Sequence, residues 1–279
     1  DATITEIETP HGPARAHLHL PSGRAKPAGL MLLGHGAGGG VRAVDLHLAG
    51  AVALEHRYAV GLIEQPYRVA GRKAPAPAKQ VDAAWEAVVA ELRPAYSKGP
   101  LVCGGRSFGA RVACRTASAV GADGVLCLAF PVHPPGRPEK SRQPELSAVA
   151  VPTLVVQGAR DPFGIPQADG PVHLVVVEGD HSLKKEHPVI RSAIATSTGL
   201  ERNSTAACCN VPEDTVIRRI CINRYDDSAP AGANFEFCAI PMYARRSASK
   251  CPISGGCVIS SAATMSSTSS IRASAIASL

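Results

Sequence analysis

The sequence predicts an α/β fold with a doubly wound, mostly parallel sheet, formed by about residues 1–198 of the 279-residue chain. Short apolar runs alternate with segments of helical spacing, which is the pattern of parallel strands joined by crossover helices. Most of these runs are almost continuously apolar, as expected for strands that are covered by helices on both faces of the sheet.

Seven runs have the length and composition of strands, and four segments between or after them have a helical period. The predicted strands are Ala16–Leu20, Leu30–Gly34, Ala59–Glu64, Leu101–Gly104, Gly124–Ala129, Thr153–Gln157 and His173–Val177. The predicted helices are Asp45–Glu55, Ala78–Arg93, Phe108–Val120 and Pro188–Thr196. Trp85 lies on the apolar stripe of the second helix, so we interpret it as a core residue.

The composition changes after residue 200. Residues 201–278 contain no Leu, His, Gln or Trp, and residues 260–279 are a Ser/Ala/Thr-rich string with little apolar periodicity. Such a string cannot bury enough apolar surface to offset chain entropy, so we predict that residues 199–279 are a tail outside the domain. The tail could be a disordered extension, a small disulfide-bearing module or a translation out of the reading frame, and we favour the last.

Composition also narrows the class of protein. The net charge of +6 is spread along the chain without a basic, aromatic-rich stripe, so we expect no nucleic-acid binding. We find neither a secretory signal nor the ~18 consecutive apolar residues of a membrane span, and therefore expect a cytoplasmic protein without membrane contact. None of the nine cysteines forms a C-x-x-C pair, so we expect no metal site. The sequence does not indicate an oligomeric state.

The strongest motif is Gly105-Arg106-Ser107-Phe108-Gly109, between a predicted strand and a predicted helix. A serine on such a sharp turn is held clear of the sheet, and the flanking glycines leave room for the turn. The free N–H groups of the following helix favour a developing anion at the same point. We therefore predict that Ser107 is a nucleophile, with an ordinary tight turn as the alternative.

A second motif, Gly34-His35-Gly36-Ala37-Gly38-Gly39-Gly40, ends the strand Leu30–Gly34. A loop in this position supplies one N–H to an oxyanion hole, and the residue after the nucleophile supplies the other, so we assign the donors to Ala37 and Phe108. A phosphate-binding loop is the alternative, but the motif lacks the Gly-Lys-Ser/Thr ending. We expect His35 to hold the glycine turn by hydrogen bonds rather than to act in catalysis.

The two partners of the serine follow the last two predicted strands. Asp161 comes after Thr153–Gln157, and His181 comes after His173–Val177. The imidazole would take the serine proton and return it to the leaving group, while the carboxylate orients the imidazole. Asp180 is a weaker candidate for the acid, because adjacent residues on an extended segment usually point apart. The candidates for the substrate pocket are His35, Arg106 and His133, which lies in a proline-rich loop after Gly124–Ala129.

These stretches together resemble the short, lid-poor α/β-hydrolases that are termed dienelactone-hydrolase-like, in particular bacterial members related to a testis-expressed protein and to a histone-acetyltransferase-complex subunit. The matching stretches are LLGHGAGG, EQPYRVAGRKAPAPA, GGRSFGARVA, FPVHPPGRPEK, VVQGARDPFG and EGDHSLK. The resemblance implies an α/β-hydrolase fold without a large lid and the triad positions given above. True dienelactone hydrolases use a cysteine nucleophile, so their substrate does not carry over to Ser107.

The sequence therefore predicts a serine hydrolase that acts on a small ester without a cofactor, most simply a carboxylesterase. The alternative is a non-catalytic binding or scaffold protein on the same fold. Asp161 and His181 are closer in sequence than the resemblance leads us to expect, which predicts that the helix between the last two strands is trimmed.

Overall fold

The computed structural model describes residues 2–185 and 187–197. The predicted tail, with its cysteines, lies outside these residues. Eight strands form one sheet in the order β1-β2-β4-β3-β5-β6-β7-β8. They are β1 Thr3–Ile7, β2 Ala14–His19, β3 Gly29–Gly34, β4 Tyr58–Glu64, β5 Leu101–Arg106, β6 Gly124–Leu128, β7 Thr153–Gly158 and β8 Val172–Val177. Strand β2 pairs antiparallel with both of its neighbours, β1 and β4, and the remaining pairs are parallel, so the predicted doubly wound, mostly parallel sheet is confirmed.

Six α-helices occur in the described part of the chain. They are α1 Val44–Glu55, α2 Pro66–Val69, α3 Ala78–Leu92, α4 Phe108–Thr116, α5 Gln143–Ser147 and α6 His187–Ser197, and a 3-10 helix spans Arg93–Tyr96. None of them is long and apolar enough to cross a membrane. Residues 159–171, between β7 and β8, contain no helix, as the short spacing between Asp161 and His181 predicts.

The sheet has an apolar core on each face. One core includes side chains of α3 and α4, with Trp85 fully buried, and the other includes side chains of α1 and α6. Helices on both faces explain why the central strands are almost continuously apolar. The Cys103, Cys114 and Cys127 thiols are buried in the first core, and burial raises the pKa of Cys103 to about 12.

The carboxyl ends of β5, β6, β7 and β8 lie along one edge of the sheet, because parallel pairing keeps these strands in step. Arg106 is opposite Leu128, Leu128 is opposite Val156, and Gly158 is opposite Val177. The loops that carry Ser107, Asp161 and His181 leave from this edge. The connection from β6 to β7, residues 129–152, contains only the five-residue helix α5 and is too short for a large lid.

Candidate active site

Ser107 occupies a strained turn between β5 and α4. Its backbone has φ 53° and ψ −106°, a conformation that residues other than glycine rarely adopt. The amide of Ser107 donates a hydrogen bond of 2.8 Å to the carbonyl of Leu128 at the end of β6. The turn therefore holds the hydroxyl above the edge of the sheet, as the strand–serine–helix motif predicts.

The two glycines of the motif are required by close backbone packing. Gly105 and Gly109 both lie against the carbonyl of Gly34, and a Cβ atom at either position would overlap that oxygen. The turn is thus pressed against the end of β3, where the glycine-rich loop begins. This contact brings Gly36 beside the serine, because a Cβ atom on Gly36 would lie 3.8 Å from that of Ser107.

His181 connects the serine to an acid. Its Nε2 lies 2.8 Å from Oγ of Ser107, and its Nδ1 lies 2.8 Å from Oδ2 of Asp161. A carboxylate only accepts hydrogen bonds, so Nδ1 carries the proton and Nε2 is left to accept from the hydroxyl. The structure thus brings together the three side chains predicted from the strand ends, in the geometry that nucleophilic catalysis requires.

The carboxylate of Asp161 is buried, and both of its oxygens accept hydrogen bonds. Its side chain has no solvent exposure. Besides the imidazole, Oδ2 accepts from Nε2 of Gln157 at 2.8 Å, and Oδ1 accepts from the amide of Phe163 at 2.9 Å. Asp180, the weaker candidate, is exposed and accepts from the amide and hydroxyl of Ser182, and these hydrogen bonds lower the pKa of Asp180. Asp161 is therefore the acid next to His181.

Two residues of the site were missed in the sequence. Gln157 is fully buried at the end of β7, and its Nε2 also lies within hydrogen-bond distance of the carbonyls of Phe130 and Gly164. A lone amide in the apolar run Thr153–Gly158 was the available signal. The ring of Phe163 packs on the imidazole of His181, with centroids 4.2 Å apart. No pattern in the sequence singles out Phe163.

His35 orients the glycine-rich loop. Its Nδ1 lies 2.8 Å from the carbonyl of Gly36, and its Nε2 accepts from the amide of Gln65, so the ring is neutral with its proton on Nδ1. Burial lowers the pKa of His35, which favours the same neutral form. Because both ring nitrogens are occupied by the protein, His35 has a structural geometry and not that of a proton carrier.

The hydrogen bonds of Gly36 bear on the predicted oxyanion donor. The Gly36 carbonyl accepts from His35 and from the amide of Gly39 and belongs to the same peptide unit as the amide of Ala37. In a trans peptide the N–H points opposite to the C=O, so this amide faces away from His35. The carbonyl of Ala37 accepts from the hydroxyl of Tyr67 at 2.9 Å. The amide of Phe108, in the first turn of α4, has no partner within its helix.

Two of the three predicted pocket residues, His133 and Arg106, contact the loops of the site. Nδ1 of His133 lies 2.9 Å from the carbonyl of Pro134, and its ring lies against Gly164 in the loop that follows Asp161. Arg106 reaches the loop of His181 and lines a cavity of about 340 Å³, together with Gly36, Gly39, Gly40, Ser182 and Lys184 among others. No group of three or more His, Cys, Asp or Glu side chains among the described residues could hold a metal ion.

The sequence matches the family described as "Alpha/beta hydrolase domain" over residues 27–193. Among solved structures, a serine hydrolase without a lid from Xanthomonas campestris is 21% identical, with a TM-score of 0.57 over 72% of this chain and 94% of its own. An alpha-beta serine hydrolase homologue from Coxiella burnetii is 18% identical, with a TM-score of 0.58 over 69% and 95% of the two chains.

Dienelactone hydrolase from Anabaena variabilis is 15% identical, with a TM-score of 0.56 over 72% of this chain and 97% of its own. At such identities the likeness shows the fold alone. None of the curated proteins matches the sequence significantly. The predicted resemblance and the lidless α/β-hydrolase fold are confirmed by these matches.

Proposed function

The chain belongs to the alpha/beta hydrolase domain family, and from this premise we propose that it is a serine hydrolase that cleaves small esters through an acyl-enzyme on Ser107. The observation that carries the proposal is the continuous chain of hydrogen bonds from Ser107 through His181 to Asp161, with 2.8 Å at each step. A hydroxyl is a weak nucleophile until an adjacent base accepts its proton, and this arrangement supplies that base.

In the first half of the reaction, Oγ of Ser107 bonds to the ester carbonyl carbon while its proton passes to Nε2 of His181. The tetrahedral oxyanion accepts hydrogen bonds from the amides of Ala37 and Phe108, each contributing on the order of 3 kcal/mol in the transition state. The C–O bond then breaks, and the imidazolium returns the proton to the departing alkoxide. Asp161 keeps the imidazole in the required tautomer and stabilises the imidazolium.

In the second half, water attacks the acyl-enzyme and gives its proton to His181. The tetrahedral intermediate that results collapses by breaking its bond to Oγ of Ser107. This step releases the carboxylic acid, and His181 returns the proton to Oγ. The short connection between β6 and β7, which leaves no room for a large lid, supports a small, accessible ester as the substrate. No step requires a metal ion or an organic cofactor.

Hydrolysis of 4-nitrophenyl esters with acyl chains of two to about eight carbons tests the proposal. We expect turnover by the wild-type chain and a loss of roughly 10⁴-fold or more in kcat with Ser107→Ala, because no other group can form the acyl-enzyme. Ser118→Ala, an exposed serine just beyond α4, is the matched control and should keep full activity. Turnover that survives Ser107→Ala would refute the proposed nucleophile, and absence of turnover on every ester would favour a binding protein.

A further inference from the structure

Arg106 is next to Ser107 in the chain, yet its side chain turns towards the loop that carries His181. Its Nη2 donates a hydrogen bond of 2.9 Å to the backbone carbonyl of His181, which lies 75 positions away. In the part of the chain that the structure describes, no other group donates to this carbonyl. The side chain is 20% exposed, so the contact is largely shielded from solvent.

Asp45 forms an ion pair with the same guanidinium. This residue lies in the first turn of α1, and its side chain is 1% exposed. Its Oδ2 lies 2.8 Å from Nε of Arg106, and its Oδ1 accepts from the amide of Leu46. Burial raises the pKa of Asp45, whereas the charge of Arg106 acts in the opposite direction. A buried carboxylate is costly without a cation, so the two side chains require each other.

The loop around His181 has fixed points on either side of the imidazole. The carbonyl of Gly179 accepts from the amide of Arg160 at 2.8 Å, and the side chain of Leu183 is fully buried in the core. Between these two points, the contact from Arg106 holds the main chain of His181 itself. Arg106 thus joins the strand that ends at the serine to the peptide that carries the imidazole.

We infer that Arg106, held by Asp45, is a positioning residue that sets the distance between the imidazole of His181 and the hydroxyl of Ser107. The inference rests on the proposed function, since it concerns the same reaction. A displacement of about 1 Å between reacting groups is enough to lower a rate by roughly 10²-fold. The alternative role is direct binding of substrate in the cavity that Arg106 lines.

Steady-state kinetics of Arg106→Met and Arg106→Lys separate these roles. We expect Arg106→Met to lower kcat by roughly 10²-fold with KM within about twofold of wild type, because the imidazole is displaced while the substrate site remains. Arg106→Lys keeps the charge but lacks the planar guanidinium that reaches both Asp45 and the carbonyl of His181. Its kcat should therefore lie between those of wild type and Arg106→Met. Asp45→Asn should lower kcat in the same way, and adding it to Arg106→Met should cause little further loss.

The matched control is Arg93, at the opposite edge of the sheet. Its Nη1 donates to the carbonyls of Tyr96 and Gly99, and its Nη2 lies 3.9 Å from a carboxylate oxygen of Asp123. Arg93→Met removes the same kinds of contact far from the serine, so its thermal stability should fall while kcat stays at the wild-type value. A fall in kcat with Arg93→Met equal to that with Arg106→Met would reduce the role of Arg106 to general stability.

Amide hydrogen exchange tests the positioning role without relying on activity. We expect faster exchange in residues 178–183 with Arg106→Met or Arg106→Lys, and unchanged exchange there with Arg93→Met. A raised KM with wild-type kcat, or unchanged exchange in this loop with both Arg106 variants, would overturn the inference. If the wild-type chain hydrolyses no ester, the proposed function fails, while faster exchange would still show that Arg106 holds the loop.

Discussion

At the scale of single residues, the carboxylate of Asp161 depends on Gln157 for one of its hydrogen bonds. The amide of Gln157 lies within hydrogen-bond distance of Asp161 and of the carbonyls of Phe130 and Gly164, and the residue is fully buried. It therefore connects the end of β6, the end of β7 and the loop of the acid. A buried acceptor that loses its donor costs about 1–3 kcal/mol, so this residue bears on both stability and catalysis.

Gln157→Met keeps the length of the side chain and removes its donors. We expect the free energy of unfolding to fall by about 1–3 kcal/mol and kcat to fall by roughly tenfold, since Asp161 loses a hydrogen bond that fixes its orientation. Chemical denaturation and ester kinetics measure the two effects. Gln143→Met is the control, because Nε2 of Gln143 also donates to a backbone carbonyl, that of Gln167, but on the exposed surface. Wild-type kcat in Gln157→Met would contradict the positioning role.

The residues of the site differ in how far the sequence predicts them. Ser107, Asp161 and His181 follow apolar runs, and residues in such positions meet at one edge of a parallel sheet. Gln157 and Phe163 act through contacts between loops: a lone amide in an apolar run marks Gln157 as unusual without giving its partners, and no local pattern marks Phe163. The position of the Arg106 side chain likewise depends on the loop of His181. The sequence around Arg106 does not indicate in which direction this side chain points.

At the scale of elements, the helix that follows the nucleophile is tied to two neighbours by charge. On α4, Arg111 and Arg115 both pair with Glu145 of α5, and Arg115 also pairs with Asp82 of α3. Burial disfavours the charged carboxylate, but hydrogen bonds from Arg111 and the charges of both arginines outweigh it and lower the pKa of Glu145. This network joins α4, which begins directly after Ser107, to α3 and α5.

Glu145→Gln should lower the free energy of unfolding by about 1–2 kcal/mol at pH 7, because the pairs are about four-fifths shielded from solvent and two arginines lose a partner. The folded pKa lies below the unfolded value, so this stabilisation is present above the unfolded pKa and is lost as the pH falls through the folded pKa. Urea denaturation at several pH values should therefore show the difference from wild type shrinking below about pH 4.

Glu55→Gln is the matched control for this experiment. Glu55 pairs with Arg191 on the surface, and its side chain is 59% exposed. An exposed pair contributes about 0–1 kcal/mol, so the control should change stability little at any pH. A difference between wild type and Glu145→Gln that stays constant down to pH 3 would contradict the proposed charge network.

The strands and helices also differ in how far the sequence predicts them. The seven predicted strands all occur. Six of them are parallel to each other and read as largely apolar runs, whereas β2 is antiparallel and alternates apolar with polar residues. Strand β1 was missed, since four of its five residues are exposed and it lacks such a run. Helices α2 and α5, of four and five residues, are too short to show a helical period.

At the scale of the whole molecule, we propose that residues 1–198 form an independent domain. The family match ends at residue 193, and the last described helix, His187–Ser197, packs into the core through Ile190 and Ile194. A chain that ends at residue 198 should keep the melting temperature of the full chain within a few degrees and its kcat/KM within about twofold, because it retains every described residue of the two cores. A large fall in the melting temperature or in kcat/KM would show that residues after 198 contribute to the folded domain.

Activation of Ser107 as a nucleophile is tested most directly by covalent labelling with a fluorophosphonate. Mass spectrometry of the labelled, proteolysed chain should find one adduct, on the peptide that contains Ser107. The adduct should disappear with Ser107→Ala and form far more slowly with His181→Ala, because the hydroxyl then has no base. A folded wild-type chain that remains unlabelled, or an adduct on a different serine, would contradict the account.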